Sequence, residues 1–98
     1  MTSIIHAAEV RDHFEAALAS DGIEITRSAV TAYTLDIAIA AGDIERAEGL
    51  LDGTWRTSRR VHQIGDHWEE LARIESEVDG VAVTIDSWHP VNVEVKSA

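Results

Sequence analysis

Between Ser58 and Asp79 the apolar positions are Val61, Ile64, Trp68, Leu71, Ile74 and Val78, at steps of three and four. That spacing places all six on one side of an α-helix. Ser58 stands where an N-cap hydroxyl is wanted and Gly80 where a helix stops. The pattern predicts one long helix, 58–79, as the spine of the molecule. Upstream, Val10, Phe14, Ala17 and Leu18 predict a helix from about Ala7 to Ser20, ended by Asp21-Gly22. Alternation over 22–26 predicts a short strand with Ile23 and Ile25 inward. Val30, Tyr33, Ile37 and Ala41, widened by Leu35 and Ile39, predict a largely buried helix from Thr26 or Ser28 to Ala41. Asp43 then caps a short helix, Ile44 to Leu51, stopped by Gly53.

Beyond Gly80 the period changes to two. Val81, Val83 and Ile85 alternate with Ala82, Thr84 and Asp86, and Val91, Val93 and Val95 alternate with Asn92 and Glu94. Ser87-Trp88-His89-Pro90 lies between the runs as a turn, so the reading is a C-terminal β-hairpin, 81–86 with 91–95. The expected fold is α+β: about four helices packed around the long helix 58–79, the hairpin, and a third short strand at 22–26. It forms a single domain over residues 1–98.

Composition adds a sign. The chain has 98 residues, 45% of them hydrophobic, enough for one buried core. Eighteen Asp and Glu stand against eight Lys and Arg, a net charge of −10. That excess weighs against general affinity for DNA or RNA and suits a partner with a basic surface. There is no cysteine, hence no disulfide and no thiolate metal site. No apolar run reaches membrane-spanning length and no basic start precedes one, so a cytoplasmic location is expected.

Three clusters invite a chemical reading. Trp55-Arg56-Thr57-Ser58-Arg59-Arg60 gathers three arginines beside a tryptophan at the expected start of the spine helix. Free amides there, with guanidinium forks, would suit a carboxylate or phosphate, or an acidic partner. The competing expectation is that the arginines pair with the chain's own Glu48, Asp52 or Asp66 while Trp55 plugs the edge of the core. His62, Asp66 and His67 would share one turn region of the same helix, a weak metal motif because no third strong ligand is assured. Trp88 and His89 at the hairpin tip would offer a contact surface if Trp88 is exposed; folded back on the spine helix, Trp88 would be core. No nucleophile, base and orienter come together, and no cofactor or metal is expected.

Two resemblances are local. Ala40-Ala41-Gly42-Asp43 with Ala47, Leu50-Leu51 and Gly53 resembles the helix–turn–helix stretch of an ankyrin-type repeat, but it occurs once, and repeat folds need several stacked units. Helices followed by a hairpin are similar to winged helix–turn–helix domains, with Ala38 and Gly42 in the turn and Ile44 to Leu51 as the reading helix. That resemblance implies a nucleic-acid-binding regulator using Arg56, Arg59, Arg60 and the hairpin. Glu45 and Glu48, flanked by Asp43 and Asp52, would repel the phosphates such a helix must approach.

The sequence thus points first to a small acidic, non-enzymatic protein-binding module. A phage- or mobile-element-encoded accessory protein, inhibiting a host protein by docking on its basic surface, fits the size and acidity. The acidic surface would be Asp12, Glu15, Asp36, Asp43, Glu45, Glu48 and Asp52. A homodimer joined through the outer strand 91–95 is a further expectation.

Overall fold

The computed structural model describes residues 4–40, 43–51 and 53–91. Among them are two helices and five strands, in the order α1 (Ile4–Ser20), β1 (Ile25–Val30), β2 (Thr34–Ile39), α2 (Ile44–Leu50), β3 (Arg56–Ile64), β4 (His67–Val78) and β5 (Val81–Val91). The strands form one mixed sheet, ordered β1-β2-β5-β4-β3. β2 and β5 run parallel at its centre, and the other neighbours are antiparallel.

α1 buries Ala7, Val10, Phe14 and Leu18 at helical spacing. It ends in a left-handed Gly22 (φ 76°), which lets the Ile23 amide donate to the Leu18 carbonyl at 3.0 Å. Ile23 is thereby turned into the core, 2% exposed. β2 sends Leu35, Ile37 and Ile39 to the same side, and β5 sends Val81, Val83, Ile85 and Ser87. In β4 the inward residues are Ala72 and Ile74. Ile37, Ile74 and Ile85 lie at 1% exposure or less, each contributing roughly 1.5–3 kcal/mol by burial. Both helices pack on this one side of the sheet, and no described element covers the opposite side, called the uncovered side below.

The expected spine helix, 58–79, is not a helix. Its residues form β3 and β4, joined by the two-residue turn Gly65-Asp66, with an unbroken register from Arg56↔Glu75 to Ile64↔His67. Of the six apolar residues assigned to one stripe, only Ile74 is fully buried. Val61 and Ile64 lie 48% and 40% exposed on opposite sides of β3. Ser58 is a strand residue, not an N-cap. Gly80 is the second residue of another two-residue turn, Asp79-Gly80, with φ of 51° and 81°. Positive φ at both positions matches the twist of the flanking strands, so the chain reverses where a helix stop is expected.

Over its described residues the expected helix from Thr26 or Ser28 to Ala41 is the β1–β2 hairpin, and Ala41 lies outside them. Its residues are rich in branched side chains, and the Thr31 hydroxyl accepts from the Tyr33 and Thr34 amides at 3.3 and 3.1 Å, tying a loop where a helix would need a turn. The strand expected at 22–26 starts later, at Ile25, and runs to Val30. Ser87-Trp88-His89-Pro90 is no turn: it continues β5, paired with Ala72, Leu71, Glu70 and Glu69. Pro90 is tolerated near the strand's end. Of the expected outer strand 91–95, Val91 is the last residue of β5 and residues 92–95 lie outside the described residues. β5 itself is interior, between β2 and β4, and its described part offers no edge to a second copy. With a strand in place of the helix before α2, the helix–turn–helix behind the nucleic-acid reading and the ankyrin-type resemblance is absent among the described residues.

Candidate functional site

Strand alternation divides the Trp55–Arg60 cluster. Trp55 is half-buried against the core, its ring edge-on to Phe14 at 5.9 Å, so it closes the core edge. Thr57 and Arg59 face the helices, while Arg56, Ser58 and Arg60 face the uncovered side, because each is paired with a β4 residue on that side. The arginines do not sit at a helix start, and the expected site of helix-end amides with guanidinium forks does not form.

Arg59 joins α2 to the sheet. Its guanidinium donates to Glu70 Oε1 at 2.9 Å and to Glu45 Oε1 at 3.0 Å. Glu70 also meets His89 Nε2 at 3.4 Å. Ile44, Glu45, Arg59, Ala72, Ser87 and His89 line a cavity of about 210 Å³ beside this chain of charges. Thus three residues singled out from sequence for different reasons, Glu45, Arg59 and His89, come together. Glu70 links them and was not singled out. Its signal was its place opposite Val61 and His89 in the ladder, which a helical reading cannot supply. Ser87 donates to the Ala40 carbonyl at 3.0 Å, and His89 Nδ1 is buried without a hydrogen-bond partner among the described residues. Arg59, held by Glu45 of α2 and Glu70 of β4, makes the cluster a clamp on α2.

On the uncovered side, Arg73 and Asp86 form a two-point pair at 2.6 and 3.2 Å across β4 and β5. The Asp86 hydrogen bond, joined by its charge, holds the Arg73 guanidinium above the ordinary arginine range. Arg56 reaches Glu75 at 3.4 Å from an almost fully exposed position. Trp88 is 40% exposed and lies 5.6 Å from the His62 ring, with Leu71 opposite it. Grooves of about 270 and 290 Å³ run beside β3 here, sharing Ser58, Arg60 and Glu75. Arg60 has no hydrogen bond or ion pair to any described residue.

The histidine–aspartate cluster is dispersed. His62 lies in β3, Asp66 in the turn and His67 at the start of β4, where it meets Glu69 at 3.0 Å and Asp66 at 3.5 Å. No group of three or more metal-ligating side chains is assembled among the described residues.

The acidic residues do not share one surface. Asp12 and Glu15 lie on α1, Glu45 and Glu48 on α2, and Asp43 just before α2. Asp36 is on the opposite, uncovered side of the sheet, and Asp52 lies outside the described residues. Asp43 occupies the N-cap position, but its carboxylate makes no cap bond and instead accepts from Arg46 at 3.2 Å. Arg46 also reaches Asp21, and its hydrogen bond to Asp43 leads the interactions that raise it above the ordinary arginine range. Arg11 pairs with Asp12 at 3.4 Å. Every arginine of the helical side is therefore engaged by the chain's own carboxylates.

No helix among the described residues is long and apolar enough to cross a membrane. No protein-family model matches the chain, nor does any curated protein or solved structure.

Proposed function

We propose that this chain is a small non-enzymatic binding module, working in the cytoplasm, that docks its helical side on the basic surface of another protein. The observation behind the reading is the sorting of charge across the sheet. On the helical side Arg11, Arg46 and Arg59 are neutralised internally. Glu9, Glu15 and Glu48 there have no ion pair with any described residue, and Asp12 and Glu45 stay 70% and 83% exposed. Uncompensated carboxylates on one side speed encounter with a cationic surface and lose their pull as salt rises.

The test uses immobilised protein beside a variant carrying Glu9→Lys, Glu15→Lys and Glu48→Lys, and beside Arg60→Glu as a control on the other side. The expected result is a protein captured from native lysate at low ionic strength by the wild type and the control. The helical-side variant should lose it, and about 0.5 M salt should elute it. Equal retention by the helical-side variant, or no retention at all, overturns the reading.

A further inference from the structure

β3 is the last strand of the sheet, and its outer edge pairs with no described residue. All nine of its residues are exposed, and its register with β4 has no bulge. Native edges are usually short, bulged or covered, because unpaired amides and carbonyls template another strand. This one is long and straight. Its composition is also the reverse of the molecule's: Arg56, Arg59 and Arg60, and no acidic residue, in a chain of net charge −10.

A two-residue turn closes on a pair that exchanges both of its ladder bonds, and here Ile64–His67 holds that place. Alternation along β3 then turns the amides and carbonyls of Thr57, Arg59, Val61 and Gln63 outward. Of the three arginines, Arg59 is held by Glu45 and Glu70. Arg60, with no ion pair to any described residue, and Arg56, 87% exposed and met by Glu75 at 3.4 Å, stand on the same side of the sheet, with Ser58 between them and the two grooves alongside.

We propose that the β3 edge receives an extended acidic peptide of another protein as a sixth strand. The peptide's backbone takes up the outward groups of Thr57, Arg59, Val61 and Gln63. Its carboxylates, four residues apart, lie opposite Arg56 and Arg60. Main-chain bonds supply affinity and the alternate side chains supply selection. The α2 carboxylates that reach β3, Glu45 and Glu48, meet Arg59 and Thr57 on the side of the sheet opposite Arg56 and Arg60, and at physiological salt the screening length is about 8 Å. The two cations it uses lie on the side of the sheet opposite the acidic helices, and either proposal stands if the other fails.

The probe is a fluorescein-labelled synthetic peptide as long as β3, alternating valine and threonine with glutamates four apart. Anisotropy should show saturable binding. Arg60→Glu, or Arg60→Ser where the reversal perturbs folding, should weaken it about tenfold, the factor expected for about 1.4 kcal/mol. N-methylation of the peptide amides facing β3 should abolish binding, while N-methylation of the opposite edge should leave it. Amide exchange at Thr57, Arg59, Val61 and Gln63 should slow in the complex. Four results would overturn the proposal: no binding, indifference to N-methylation, equal binding of a lysine-for-glutamate peptide, or sedimentation showing that a second copy already covers β3.

Discussion

At the scale of single residues, burial decides which charges matter for stability. Asp86 is 13% exposed and holds Arg73 at two points, whereas Glu75 is 38% exposed and reaches Arg56 and Arg73 at 3.4 and 4.0 Å. Asp86→Ala strands a half-buried guanidinium and should cost about 1–3 kcal/mol. Glu75→Ala removes only solvent-screened pairs and should cost less than about 1 kcal/mol. Urea titrations at neutral pH would show the difference as a lower midpoint for Asp86→Ala with an unchanged slope. Equal midpoints would mean that the two-point geometry contributes nothing. Ile85→Ala, in a side chain with no exposure between Ile37 and Ile74, should cost more than either, about 2–5 kcal/mol.

At the scale of elements, the turns carry the topology. Gly65 sits at φ 64°, and a Cβ built there meets nothing within 4 Å. Its role is therefore torsional, not to admit a neighbouring element. Gly65→Ala should cost about 1–2 kcal/mol by backbone strain alone and loosen the β3–β4 end first. Faster amide exchange at Ile64 and His67, with Ile85 unaffected, would show this; uniform destabilisation would contradict it. These turns also explain how much was legible. The faces of α1 and α2 could be read, because four apolar residues in α1 and Ile44 with Ala47 in α2 keep a clean helical period. The first half of β5 was equally plain. β3 and β4 were not, because much of their length has no covered face. In β4, the real inward set, Ala72 and Ile74 with half-buried Trp68 and Val78, overlaps a helical stripe at three positions. Asp79-Gly80 flanked by branched residues was the available signal for a hairpin. At the site, Arg59 and His89 were legible as residue types, but their meeting through Glu70 depends on a register that sequence spacing does not contain.

At the scale of the whole molecule, the sheet separates two electrostatic environments. On one side the helices carry surplus carboxylates; on the other, Arg73 with Asp86 and Arg56 with Glu75 balance locally, and Arg27 and Arg60 share that side with Asp36 and Glu77, none of the four in an ion pair with a described residue. Carboxylates held together by folding repel one another, and the compact state bears more of that repulsion than the unfolded chain. Salt at about 0.15 M shortens the screening length to about 8 Å, relieving repulsion between α1 and α2 while leaving the closer, half-buried Arg73–Asp86 pair largely intact. The melting temperature should therefore rise from low salt to about 0.15 M sodium chloride. Glu48→Gln or Glu9→Gln should raise it at low salt and flatten its salt dependence, while Arg60→Gln should do neither. Thermal melts by circular dichroism on the four proteins would decide it. A fall in melting temperature with added salt would show that attractive pairs dominate the fold, and would remove the charge sorting on which docking by the helical side depends.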